Sequence, residues 1–351
     1  MVANPRLTGT AAALGSALLF GVTTPLAKLL LDPASPLLVA GLLYLGSGAG
    51  LALWILVRER GRPPPVARAD WPWLAAAVAS GGVLAPALLM TGLSRASAAS
   101  ASLLLNLEAV FTALLAWVVF REHTSRRMVV GFAAILAGGV LLAWPDHSGR
   151  PLQSPTAMLL IAAACLCWGL DNNLTRKIAG GDARIIAALK GLAAGATNTA
   201  LGLALGSRLP GPASLSTLLL LGLLGYGVSL VLYIRALRHL GTARTGAYFG
   251  TAPFIGGALA LVLFGQGGGS DFWLASACMA FGVWLHLTEH HEHDHVHKPV
   301  SHSHEHVHDE HHRHDHDPGW DGTEPHTHEH RHLLLRHRHP HFPDIHHQHT
   351  H

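Results

Sequence analysis

Runs of about 20 apolar residues recur along the first 285 positions of this chain, separated by short charged or Pro/Gly-rich breaks. A helix of that length crosses roughly 30 Å of hydrocarbon. Ten such stretches fall near 8–31, 36–57, 72–93, 96–119, 127–144, 157–178, 184–206, 214–234, 243–264 and 272–288. In lipid each backbone amide must be satisfied inside its own segment, so runs of this kind predict helices. The fold class read from the sequence is therefore all-α integral membrane. The overall hydrophobic content of 50% understates this, because a polar C-terminal stretch dilutes the average. The first run exceeds a signal-peptide core, carries Thr23, Thr24 and Pro25, and has no clear cleavage site, so it reads as a span.

Lys and Arg are distributed unevenly over the intervening loops. With the N-terminus inside, the inner segments hold fourteen cations, from Arg6 and the Arg58–Arg68 group to Arg235, Arg238 and Arg244. The outer loops hold Arg95, Arg150 and Arg208. Positive-inside bias then predicts a cell (inner or plasma) membrane protein with both termini cytoplasmic.

The chain also repeats itself. "LLFGVTTPLAKLL" (18–30) matches "LCWGLDNNLTRKI" (166–178) at a shift of 148: an aromatic–Gly pair, small polar residues, then a cation. "LLNLEAVFTALLAWVVFRE" (104–122) matches "YFGTAPFIGGALALVLFGQ" (248–266) at a shift of 144. A period near 146 divides the body into five-span halves, 1–146 and 147–288. Five is odd, so the second half enters the membrane in the opposite direction, giving two inverted repeats.

With ten spans, "FGVTTPLAK" in the first and "LEAVFTALLAWVVFREH" closing the fourth, the body resembles the EamA-type drug/metabolite transporter superfamily over residues 8–288. That resemblance implies transport of small metabolites, often amino acids or their derivatives, usually as export. One departure stands out: Gly265-Gln266 ends the ninth span where the first half has the acidic Glu122.

Ionisable groups inside hydrocarbon cost roughly 2.5–3.5 kcal/mol each on insertion scales, so each asks for a reason. Glu108 lies near the middle of the fourth expected span, Asp171 on the sixth and Lys190 on the seventh. At 1.5 Å per residue, Asp171 and Lys190 reach about the same depth on antiparallel neighbours, which suits an ion pair or a substrate site. Glu108 has no partner visible in the sequence, and a carboxyl there can take up and release a proton as a carrier turns over. Thr23, Thr24, Asp171, Asn172 and Asn173 are polar interruptions at corresponding places in the two halves, the best sequence pointer to a transport site. Trp168 and Tyr248 are candidates to stack on a substrate or to anchor the membrane interface. Cys165, Cys167 and Cys278 fall in apolar runs and read as small buried hydrophobes, with no disulfide framework.

Residues 289–351 are different in kind. Of the 28 histidines, 25 lie from His286 onward, mixed with twelve Asp/Glu and five Lys/Arg. The segment lacks the apolar periodicity of a core, so disorder is expected. HExxH occurs at His291–His295, His304–His308 and His328–His332, but at such His density the match carries little weight for a protease. Divalent metal binding is the stronger expectation, with His291, His293, His295, His297, His302, His304, His306, His308, His311, His312, His314 and His316 as ligands for Zn, Ni, Co or Cu. No cofactor is required by the body, and nothing in it supplies a nucleophile–base pair, a phosphate loop or a nucleic-acid surface. The expected function is a secondary metabolite transporter with a metal-binding tail, compatible with a homodimer. A divalent-metal exporter is the alternative.

Overall fold

The computed structural model describes residues 5–31, 35–58, 66–120, 125–143, 154–178, 182–265 and 269–288, with 292–297, 301–306, 326–331 and 335–340 in the tail. Helix covers each stretch expected from hydropathy. The first half comprises α1 (Pro5–Leu29), α2 (Pro36–Arg58), α3 (Trp71–Ala77), a π segment (Val78–Leu84), α4 (Ala85–Arg95), α5 (Ala98–Leu104), α6 (Leu107–Phe120) and α7 (Arg126–Ala143). The second comprises α8 (Pro155–Lys177), α9 (Ala183–Ala204), α10 (Pro212–Gly222), a second π segment (Leu223–Val228), α11 (Ser229–Phe249), α12 (Ala252–Phe264) and α13 (Ser270–Leu287).

Among the described residues, seven helical stretches are long and apolar enough to cross a membrane: Thr8–Leu29, Pro36–Arg58, Arg68–Arg95, Ala98–Val119, Arg126–Ala143, Pro155–Thr175 and Pro212–Ala236. The rest have visible reasons for falling short. α9 carries Arg184, Lys190 and Asn198. α13 carries Asp271 and His286. α12 has only 13 residues, because α11 runs through the expected loop and the chain then breaks at Gly250–Thr251.

Local chemistry sets the helix ends. Ser97 caps α5 by accepting from the Ser100 amide at 3.1 Å, and Asp182 caps α9 by accepting from the Arg184 amide at 2.9 Å. Gly265 closes α12 in the left-handed region, at φ 60°.

Packing crosses the two halves. α1 lies on α11 and α12, and α8 lies on α4 and α6. α2 packs on α9 and α7 on α13, each a pair of corresponding helices. The α2–α9 contact is close because Gly191 meets the backbone of Gly48, leaving no room for a β-carbon. α1 and α11 are further joined by a reciprocal bond: Ser16 Oγ donates to the Ser229 carbonyl at 2.8 Å, and Ser229 Oγ donates to that of Ser16 at 3.0 Å. A continuous core of Leu, Ala, Met and Ile, including Leu38, Leu89, Met90, Ile135 and Ile161, fills the interior.

The tail forms a separate unit, His290–Pro343. Within it the described residues are four short strands. β1 (Glu292–His297) pairs antiparallel with β4 (Leu335–Pro340), and β2 (Ser301–His306) with β3 (His326–Arg331). Histidine at every second position has the period of a strand, a pattern that composition alone conceals. The tail side chains, and with them the metal-ligand assignment, lie outside the described residues.

Candidate functional site

Two kinds of helix interruption gather around the centre of the body, and each occurs once per half. The π segments begin one repeat period apart, at Val78 and Leu223. The breaks at Leu105–Asn106 and Gly250–Thr251 are spaced by nearly the same period. A π turn shifts the backbone ladder and leaves carbonyls for other donors. In the first half those donors are side chains. The Gly81 carbonyl accepts from Tyr44 Oη and Trp168 Nε1, both at 3.0 Å, and Asn198 Nδ2 donates to the Val83 carbonyl at 3.1 Å. Each π segment also brings a glycine against a polar residue of the opposite half, Gly81 against Asp171 and Gly225 against Thr23. Asp171 and Thr23 are the residues the sequence match pairs with each other.

Asp171 and Lys190 meet as their depths predict. Lys190 Nζ donates to both carboxylate oxygens, at 2.5 and 2.7 Å, and to Thr175 Oγ1 at 3.2 Å. Thr175 in turn donates to Asp171 Oδ1 at 2.9 Å. With only 6% of Asp171 exposed, the pair is buried and mutually neutralised.

Glu108 lies in the first turn of α6, just after the break, where the positive end of the helix dipole favours a negative charge. The sequence showed no partner for it; the structure supplies a neutral one. Asn172 Nδ2 donates to Glu108 Oε1 at 3.0 Å and to Thr112 Oγ1 at 3.1 Å. Asn173 instead fastens helix to helix, donating to the carbonyls of Thr112 and Gly169 at 3.0 and 2.8 Å. Asn172 is exposed, although it lies on the same stripe of α8 as buried Cys165 and Trp168. At roughly 100° per residue it points about 200° away from the exposed Leu170. Its exposure therefore opens into the body rather than toward lipid.

Beside Glu108 runs a line of rings. Trp168 Nε1 lies 3.3 Å from Tyr44 Oη. Tyr44 packs on Tyr226 at 5.2 Å between centroids, Tyr226 on Phe20 at 5.8 Å, Phe20 on Phe249 at 5.3 Å and Phe249 on Tyr233 at 5.0 Å. Asn172, which donates to Glu108, lies one helical turn beyond Trp168, the first ring of this line.

The candidates read from sequence thus divide. Glu108, Asp171, Asn172, Asn173, Lys190 and Trp168 converge, and Trp168 is buried among helices rather than placed at an interface. Thr23 and Thr24 are buried on α1; Thr23 Oγ1 donates to the Leu19 carbonyl at 2.8 Å and abuts the second π segment. Tyr248 stays apart at the end of α11, where its carbonyl accepts from Thr251 Oγ1 at 2.6 Å. Sequence reasoning missed Tyr44, Tyr226 and Phe20. The available signals were Gly81-Gly82 and Gly225-Tyr226-Gly227, glycine-flanked positions inside otherwise apolar runs.

Comparison with known proteins agrees with this architecture. The model of the EamA-like transporter family matches twice, over residues 7–144 and 155–288. A transporter of Methanothermobacter thermautotrophicus, described only as uncharacterized, is 26% identical over 273 residues, covering 74% of this chain and 80% of its own. A solved crystal structure with 22% identity superposes with a TM-score of 0.58, covering 78% of this chain and 95% of its own, which supports the fold. The family's domain accounts for both helical halves, and the chain belongs to the EamA-like transporter family, multi-pass membrane proteins that move small molecules rather than transform them.

Proposed function

We propose that this protein is a secondary transporter that exports small metabolites by alternating access, built from ten spans in two inverted halves. The observation that carries the reading is the pairing of interruptions: a π segment and a helix break in each half, with Glu108, Asp171 and Lys190 among them. Broken helices meeting at a repeat interface are where carriers of this kind hold cargo and coupling ion. Glu108 is the coupling group. Its carboxyl faces a neutral amide, so it exchanges a proton with each turnover, whereas the Asp171–Lys190 pair is fixed. The Lys/Arg distribution supports cytoplasmic termini in the cell membrane.

The His-rich tail then acts from the cytoplasmic side as a buffer or sensor for divalent metal ions. Imidazoles mixed with carboxylates suit Zn, Ni, Co or Cu(II) at many weak sites. Reconstitution of the full chain in proteoliposomes with an imposed pH gradient tests the whole reading. Gradient-driven flux of a small metabolite is expected. Absence of flux for every metabolite class offered, by protein that is inserted and folded, overturns it.

A further inference from the structure

Resting on that transporter reading, with its cytoplasmic N-terminus, we infer that the end of α1 is the outer gate of the carrier. Lys28 latches it to the end of α4, and Pro25 is the hinge on which it swings clear. Both residues belong to the segment "FGVTTPLAK", and the central site uses neither.

The latch joins two helix ends. α1 and α4 both run outward and finish at the outer face. Lys28, in the last turn of α1, donates from Nζ to the Leu93 carbonyl at 2.6 Å and to the Ser94 carbonyl at 3.1 Å. Both carbonyls lie in the last turn of α4, where the helix itself supplies no donor and its dipole is negative. An ammonium answers both needs. Deeper in the body α1 packs chiefly on α11 and α12 rather than on α4. Thr24, one turn beneath Lys28 on the same face, is buried, with 4% of its surface exposed. The Lys28 bonds thus close the outer end over the centre of the body.

The hinge lies one turn below the latch. Pro25 has no amide hydrogen, so the Gly21 carbonyl loses the donor it would have inside α1. That carbonyl rests against α12. Its oxygen and Ser102 Oγ lie 2.6 and 2.9 Å from where a β-carbon on Gly256 would stand. Ser102 Oγ is itself buried with no hydrogen-bond partner among the described residues. A missing ladder bond beside an unused donor marks the point where α1 bends most readily.

The repeat supplies the contrast. At the shift of 148, Pro25 corresponds to Asn173 of α8, and Gly21 to Gly169. Asn173 ties α8 to α6 through the Thr112 carbonyl and bonds back to the Gly169 carbonyl. Where α8 is fastened, α1 is cut. The same position holds one half still and lets the other move.

Thr24→Cys in the full-length chain reports the gate without any cargo. Purified protein in detergent is treated with a sulfonated maleimide, which stays in water. Labelling is timed against the native chain, whose Cys165, Cys167 and Cys278 set the background. Lys28→Met should raise the Thr24→Cys rate roughly tenfold or more, as loss of charge-assisted bonds to two carbonyls would. Lys28→Arg keeps the charge and the donors and should stay within about threefold of the native latch. Adding Pro25→Ala to Lys28→Met restores the Gly21 donor and should slow labelling again, by about threefold or more. Unchanged labelling in Lys28→Met, or an equal rise in Lys28→Arg, overturns the latch. A rate that Pro25→Ala leaves unchanged overturns the hinge. If Lys28→Met unfolds, seen as labelling of the buried Cys165, Pro25→Ala alone carries the test and should slow Thr24→Cys by a similar factor. Flux of the native chain under a pH gradient is read separately. If a metabolite is carried while the Lys28 variants label like the native latch, the gate is wrong and the transporter reading stands. If nothing is carried, that reading falls whatever the labelling shows.

Discussion

Neutralising one member of the Asp171–Lys190 pair should be worse than neutralising both. The pair sits inside the body, with side-chain exposures of 9% for Asp171 and 16% for Lys190. Asp171→Asn leaves the Lys190 ammonium without a counter-charge, with Thr175 and a neutral amide oxygen as side-chain partners. Lys190→Gln leaves the carboxylate beside Gly81, where no β-carbon fits, without a counter-charge and with Thr175 Oγ1 as a side-chain donor. Breaking a buried pair from one side costs about 3–5 kcal/mol, mostly the penalty of the charge left behind. Removing both charges leaves neutral amides that can still bond each other and Thr175, at a cost of roughly 1–3 kcal/mol. Two singles of about 3 kcal/mol each would add to about 6, so a coupling of around 3 kcal/mol is expected. Equilibrium unfolding in mixed micelles of the wild type, both singles and the double closes the cycle. Additivity within about 0.5 kcal/mol would refute the reasoning, because independent sites add to that precision. Transport supplies a second reading: if the pair is scaffold, the double variant carries cargo better than either single.

Four further outcomes are expected. Glu108→Gln should abolish pH-gradient-driven flux in proteoliposomes while leaving the protein inserted and monodisperse; wild-type, pH-dependent flux would remove Glu108 from the mechanism. Gly81→Ala places a β-carbon on the Asp171 carboxylate and should cost about 1–3 kcal/mol by overpacking, whereas Gly257→Ala meets Leu103 Cδ2 at an ordinary 3.6 Å and should be neutral or gain up to about 1 kcal/mol, both read by unfolding. Asp182→Ala should cost about 1 kcal/mol through loss of the α9 cap. The Arg184 side chain holds the Asp182 carboxyl below its ordinary 3.8, so this contribution is full above that value and lost as pH falls below it; an Asp182→Ala difference that already vanished at pH 6 would contradict the cap. Deleting residues 289–351 should remove most divalent-metal binding seen by calorimetry at pH 7.5, as should acidification of the intact protein to about pH 5, while flux stays within a few-fold.

Much of the body was legible because lipid imposes one rule on every span, and hydropathy reports it directly. The Asp171–Lys190 contact followed from depth arithmetic along two antiparallel helices, needing no knowledge of their neighbours. The π segments were not legible. A π turn changes the backbone ladder, and the one mark it leaves in Val78–Leu84, the Gly81-Gly82 pair, equally suits close packing of an ordinary helix. The break before Glu108 was hidden for a similar reason: Leu105 and Asn106 carry neither Gly nor Pro, so the fourth span looked continuous. Tyr44 and Tyr226 were passed over because an aromatic inside an apolar run is usually core. Their significance lies in tertiary contacts: Tyr44 donates to the Gly81 carbonyl, and Tyr226 packs on the Tyr44 ring. Tyr248, chosen on type alone, stayed outside the cluster.

The crossed packing of α1 on α11 and α12, and of α8 on α4 and α6, has a consequence in time. Synthesis delivers the first half to the membrane well before α8 exists. During that interval α4 and α6 must rest in lipid with the face meant for α8 uncovered, and α1 waits for a partner more than two hundred residues downstream. The Gly81 carbonyl has Tyr44 by then but not Trp168, and the gap it leaves for Asp171 is empty. With so much of each half's packing supplied by the other, the body is expected to complete its assembly only after the last helices arrive, when α1 and α8 exchange between halves. The period between emergence and exchange is when such a chain is most exposed to membrane quality control. A stabilising change on the α4 or α6 face should raise the yield of inserted protein more than an equal change at α13, which buries its partner face on arrival.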